Sequence, residues 1–250
     1  MKNTICLLLL FTISFTMRSQ CMGEEKLTYG GDWNNYHYTY FCPTYEFAFN
    51  GDTAKQWNVL NDPIDIYQIK DEIFPIKTNV ESQILIFSGS NFFDDLYFVS
   101  VQVVFPDSIE RFSGRMPSCN LDRCNAKYFF YYNFIPIENV HYHIGIAVNE
   151  QGEILNGFNF PAKEDYKMID KKMTICDILE IVKDYATQIE PIEDIKLHYN
   201  EKERRFYWLV SQGLKDLKEG TYSYNELLID ASNRKQVKVV ESDFVRTIVY

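Results

Sequence analysis

IKLHYNEKERRFYWLV, running from Ile195 to Val210, is the stretch on which the fold of this chain turns. Apolar and polar residues alternate through IKLHY, so Leu197 and Tyr199 leave one side of an extended strand. NEKER (Asn200 to Arg204) is polar and charged and supplies a turn. RFYWLV then alternates again, with Phe206, Trp208 and Val210 on one face and Tyr207 and Leu209 on the other. Two such runs joined by a short polar link predict an antiparallel hairpin. The charged run Glu201-Lys202-Glu203-Arg204-Arg205 reads either as a recognition patch or as a solvated tip that discourages edge pairing. Trp208 reads as core or as a ligand-stacking ring.

Just upstream, MTICDILEIVKDYATQI predicts a helix. Ile175, Ile178, Leu179, Val182, Tyr185, Ala186 and Ile189 recur on one face at the helical period. Thr174 is placed to cap its start, with Asp177 three residues on, and Pro191 ends it. Downstream, YNELLIDA (Tyr224 to Ala231), the polar turn SNRK and QVKVVE predict further strands. A helix followed by antiparallel strands with short turns is a two-layer α+β arrangement. The helix covers one face. The face bearing Tyr207 and Leu209 needs another cover, and the first half of the chain is the natural candidate.

The last third, about residues 165–245, resembles a PepSY-type module. The matching pieces are the helix Thr174–Ile189, the strands IKLHY and RRFYWLV, and LLIDASNRKQVKV. In that family a strand ends in Asp-Ala before a glycine-containing turn. Asp230-Ala231 matches, while Ser232-Asn233-Arg234-Lys235 has no glycine. The resemblance implies an α+β module of exported proteins or protease pro-segments that binds or inhibits, with no catalytic residues to carry over.

The first half gives a second helix-plus-strand pattern. VESQILIFSG (Val80 to Gly89) predicts a helix reaching upstream toward Lys77, and LYFVSVQVVF (Leu96 to Phe105) alternates strongly as a strand. KYFFYYNF (Lys127 to Phe134) and HYHIGIAV (His141 to Val148) are two more strands. NEQG is a tight turn, after which EILNGFNF is expected to return as the hairpin partner. IDIYQI (Ile64 to Ile69) alternates like a short strand. Residues 22–45 read as an irregular lead-in with one strand. The expected organisation is therefore a leader over 1–21, a helix-plus-strand region over 22–160, and the PepSY-like α+β unit over 161–250. A duplication is conceivable, although no residue-level repeat supports it.

The leader has a short positive start at Lys2 and an apolar run, ICLLLLFTISF, of the length of a secretory core and too short to span a bilayer comfortably. Cleavage after Ser19, cleavage after Cys21 and lipidation of Cys21 are all open, the last because Arg18-Ser19-Gln20-Cys21 loosely resembles a lipobox. Lys2 and Arg18 are the leader's charges, so its loss shifts the net charge from −10 to about −12. That acidity argues against nucleic-acid partners. Export also makes disulfides the default for the remaining cysteines Cys42, Cys119, Cys124 and Cys176. Cys119 and Cys124 flank the turn NLDR and form the expected bridge, while Cys176, inside the predicted helix, reads as a buried thiol.

Chemistry has few candidates. His141 and His143 point to one side of their strand and, with Cys119 and Cys124, compose a conceivable Cys2His2 zinc site, though the spacing matches no established zinc signature. A cysteine nucleophile with His143 as its base is the other enzymatic option. GxSxG, GxxxxGK[ST] and GxGxxG are absent, so no cofactor is expected. The sequence points to an exported, non-catalytic binding or inhibitory protein of a bacterial cell envelope: periplasmic, outer-membrane-associated or secreted, with a protein or peptide partner. A small secreted thiol- or metal-dependent hydrolase and a structural or adhesion component are the alternatives.

Overall fold

A computed structural model describes residues 24–33, 44–47, 57–58, 66–104, 125–213, 215–218 and 221–245. The fold is α+β, with helices on two mainly antiparallel sheets. In chain order the strands are β1 (Gly30–Asp32), β2 (Thr44–Phe47), β3 (Trp57–Asn58), β4 (Leu96–Val104), β5 (Tyr128–Ile137), β6 (Val140–Val148), β7 (Ile192–Asn200), β8 (Arg205–Gln212), β9 (Lys215–Lys218), β10 (Thr221–Asp230) and β11 (Val237–Val245). The helices are α1 (Ile66–Ser88), α2 (Ser90–Phe93), α3 (Ile175–Lys183) and α4 (Ala186–Ile189). One sheet has the order β1-β6-β5-β4-β2-β3, and the other β11-β10-β8-β7 with β9 on β10.

The expected hairpin forms between β7 and β8. Leu197 lies opposite Trp208 and Tyr199 opposite Phe206. Asn200 closes the tip by accepting the backbone N–H groups of Lys202 and Glu203 on Oδ1, both at 3.1 Å. Arg204 turns the corner with φ 54°. Ile195, Leu197, Phe206, Trp208, Val210, Leu227 and Ile229 enter one continuous core with Ile178 and Val182 of α3, Ile189 of α4 and the inner rows of the other sheet. The Thr174 cap is present as a full capping box with Asp177, and the bonding of the cap is the main cause of the lowered carboxyl pKa of Asp177. The predicted single helix breaks at Asp184-Tyr185, where backbone bonds shorten to the i−3 spacing (Asp184 to Ile181, Tyr185 to Val182).

Cover for the second sheet comes differently from the expectation. The first half meets the Phe206 face: the Phe206 ring lies 5.4 Å from Phe134 and 5.1 Å from Tyr142. Tyr207, Leu209 and Leu228 form a separate small cluster on the opposite face with Val240. The Tyr207 hydroxyl donates to Glu203 at 2.5 Å, and Lys238 Nζ stands 4.5 Å from its ring centroid. Long charged side chains thus cover part of that apolar row.

An N-terminal strap ties the two sheets together. Leu27 bridges Ile195 of β7 in parallel, and Thr28 N donates to Ile195 O at 2.8 Å. A few residues later β1 pairs in parallel with β6, Gly30 opposite Tyr142 and Asp32 opposite Ile144. The strap passes so close that a Cβ on Gly30 would sit 1.7 Å from Leu197 O, and one on Gly145 would sit 2.0 Å from Trp33 O. Glycine is required at both positions because a backbone occupies the space of a side chain.

Two further expectations change. IDIYQI is not a strand: Ile66 opens α1, a helix carrying Pro75 in its interior. Six residues of alternation coincide with a helical stripe that continues through Ile73, Val80 and Ile84, all at most 1 % exposed. EILNGFNF does not return as a full strand. After the NEQG turn it makes one bridge, Ile154 to Val148, and then the Asn156 side chain substitutes for backbone. Its Oδ1 accepts from Ala147 N at 2.8 Å and its Nδ2 donates to Gly145 O at 2.9 Å.

The turn after Asp230-Ala231 explains its missing glycine. Asp230 is 1 % exposed, and its Oδ1 accepts from Ser232 N, Ser232 Oγ and Asn233 N, while Arg205 donates to Oδ2 at 3.2 Å. No residue from Ala231 to Gln236 has positive φ. A carboxylate organises this turn, so the left-handed residue that calls for glycine is not needed.

Candidate functional site

A concavity of about 580 Å³ opens where α1 ends against the β7–β8 hairpin. Three pieces of chain meet there. Phe87 comes from the last turn of α1. Gly157, Phe158, Asn159, Phe160, Ala162 and Asp165 come from the irregular link between the sheets. Tyr199, Glu201 and Arg204 come from the hairpin tip. The link is held in place from both sides: Lys163 N donates to Phe87 O at 2.7 Å, and the Tyr142 hydroxyl donates to Asn159 O at 2.7 Å. Its volume lies within the usual range for small-ligand and side-chain sites.

The floor is aromatic. The Phe87 and Phe158 centroids are 4.6 Å apart and those of Phe158 and Phe160 4.8 Å. Tyr199 closes one wall, with its ring 5.4 Å from Phe206. The rim is charged. Arg204 pairs with Asp165 at 3.1 Å, and Glu201 stands beside them. Burial raises the pKa of the Tyr199 phenol, with the negative charges of Asp165 and Glu201 adding to the effect and Arg204 opposing it. Asn159 lines the cleft, while its Oδ1 is buried and has no hydrogen-bond donor among the described residues. The rings of the lining suit apolar or cationic groups, and its carboxylates suit hydrogen-bond donors.

The residues singled out from sequence lie elsewhere. His141 and His143 share the outward side of β6 and pack under the strap. His143 stacks on Trp33 with centroids 3.9 Å apart and planes 15° from parallel, and Tyr29 lies 4.8 Å from it and 5.5 Å from His141. Burial lowers the His143 pKa, the neighbouring His141 adds to this, and Asp32 opposes it. Cys119 and Cys124 lie outside the described residues, as do Cys21, Cys42 and the leader, so the expected bridge and the mixed Cys-His zinc set are not described. Among the described residues no group of three or more metal-ligating side chains is arranged around a common point.

Cys176 corrects the buried-thiol expectation. It is exposed on α3 and is disulfide-bonded, and every other cysteine of the chain lies outside the described residues. Helical position alone suggested burial, but the apolar stripe runs through Ile178 and Val182, and residue 176 falls off it. Trp208 is fully buried core. The charged run divides: Glu201 and Arg204 line the cleft, while Glu203 and Arg205 serve Tyr207 and Asp230.

No family model matches this chain, and neither a curated protein nor a solved structure does. Among the described residues no helix is long and apolar enough to cross a membrane.

Proposed function

We propose that the chain is an exported, non-catalytic binding or inhibitory protein of a bacterial cell envelope, with a PepSY-type module as its C-terminal unit. The observation that carries the binding reading is the cleft, which combines an aromatic floor and a charged rim where α1, the link between the sheets and the hairpin tip meet. The disulfide at exposed Cys176 supports a life outside the reducing cytosol. The module reading draws on a capped helix followed by an antiparallel meander whose third long strand ends in Asp230-Ala231 before a tight turn.

The test has two arms. The mature N-terminus is determined by mass spectrometry of the envelope and medium fractions of producing cells, and a chain that keeps its first twenty residues and stays in the cytosol ends the export reading. A photo-crosslinking amino acid is then placed in living cells at Tyr199 and, as control, at exposed Lys183. A discrete adduct with an envelope protein or peptide at 199 and none at 183 supports the cleft as the binding face. Equal labelling at both positions removes it.

A further inference from the structure

We infer that the cleft receives a basic side chain, lysine or arginine, presented by a peptide or protein partner. This rests on the binding reading above and adds the chemistry of what is bound. Two carboxylates, Asp165 and Glu201, face one guanidinium, Arg204, across rings whose faces carry partial negative charge. An anionic group entering there meets an excess of like charge, in a chain whose net charge is −10. A neutral apolar group satisfies the rings but leaves the carboxylates of Asp165 and Glu201 with one guanidinium between them. An ammonium or guanidinium group supplies N–H donors and positive charge together.

Arg204 shows the same chemistry within the molecule. Its guanidinium reaches the rim, donates to Asp165 Oδ2 at 3.1 Å and opposes the raised pKa of Tyr199, so the site already accommodates a tethered cation at its mouth. Its side chain is 67 % exposed, and its backbone is left-handed. Exposed ion pairs of this kind contribute little, so the pair opens readily. An incoming cation takes Glu201 directly and takes Asp165 in exchange with Arg204. Arg204 is therefore a competitor, and this sets the sign of the decisive experiment.

The experiment titrates the isotope-labelled, disulfide-intact mature chain, observed by amide NMR, with four probes. They are acetyl-Ala-Lys-Ala-Arg-Ala-amide, the same peptide with norleucine at both basic positions, the same with glutamate, and n-butylammonium alone. The basic peptide is expected to shift the amides of residues 157–165 and 199–204 and to bind at least about fivefold more tightly than the norleucine peptide, the scale of one cation–aromatic contact. Asp165→Asn with Glu201→Gln weakens it about tenfold, and Arg204→Ala tightens it about threefold. The inference is overturned if the norleucine peptide binds equally well, if the glutamate peptide binds and Arg204→Ala abolishes that binding, or if no probe shifts the cleft at millimolar concentration. Equal affinity for n-butylammonium overturns the commitment to a peptide source. None of these failures touches export or the crosslink at Tyr199, so the two readings fail separately.

Discussion

Replacing Gly30 by alanine tests whether the strap holds the two sheets together. The new Cβ would lie 1.7 Å from Leu197 O and 2.8 Å from Leu197 C, both backbone atoms of β7, which is held by its ladder to β8 and by the buried Leu197 side chain. The strand cannot yield, so the strap must withdraw by roughly an ångström or more, which takes a 2.8 Å hydrogen bond past its useful limit. What is lost follows from the contacts. Thr28 N to Ile195 O, Thr28 Oγ1 to Asp194 Oδ2 and the Gly30–Tyr142 rung lie within two residues of the substitution. At about 1 kcal/mol net for each such bond the loss is about 3 kcal/mol. Alanine's stiffer unfolded chain returns about 0.5 kcal/mol, which leaves a destabilisation of about 2–3 kcal/mol. Urea denaturation followed by tryptophan fluorescence and far-UV circular dichroism measures it. Gly157→Ala is the internal control, because a Cβ there meets nothing within 4 Å. A Gly30→Ala variant within about 0.5 kcal/mol of the parent, the scatter of ordinary surface substitutions, would refute the strap as a structural tie.

Four other outcomes follow from the same structure. Phe206→Ala removes the ring that touches Phe134, Tyr142 and Tyr199, and should cost about 3–5 kcal/mol in the same denaturation assay, with one shared transition for both sheets. Thr174→Ala removes the capping box of α3 and should cost about 1 kcal/mol, with Thr174→Asn close to neutral. Peptide mapping under non-reducing conditions should recover the peptide containing Cys176 joined to another cysteine-containing peptide, and a free thiol at 176 would contradict the structure. Burial is the leading cause of the lowered pKa of both His143 and His198. The unfolded chain therefore binds protons first as pH falls below about 6.5, and stability declines through that window. Glu226, raised by burial, has the opposite sign and acts at its own lower range. The urea midpoint should drop between pH 7.5 and 5.5, and His143→Gln with His198→Gln should reduce the drop; an unchanged drop assigns it to other groups.

The α+β class was legible because the deciding signals were local. Alternation in RRFYWLV put Phe206, Trp208 and Val210 on the core face, and the Thr174–Asp177 spacing marked a helix start that forms as read. Where the reading failed, a short pattern had two physical solutions. IDIYQI alternates and also begins a helical stripe, and only the burial of Ile73, Val80 and Ile84 over three further turns decides between them. EILNGFNF has strand composition, but Asn156 uses its side chain where a strand would use backbone. The cleft was half visible. Glu201 and Arg204 stood out as charge, yet Phe87, Phe158, Asn159 and Asp165 gave no signal, because nothing in a linear chain places the end of α1 against a hairpin tip more than a hundred residues later. The strap is hidden for the same reason: residues 22–45 read as an irregular lead-in with one strand, and the partners Tyr142 and Leu197 are set only by the tertiary structure.

Lys26 reaches the carbonyl of Ile192 across 166 positions, so the strap docks on a strand that is synthesised long after it. The β1–β6 rungs can form once β6 is made, but the contacts of Lys26, Leu27 and Thr28 wait for β7. Such long-range closure places this step late in folding.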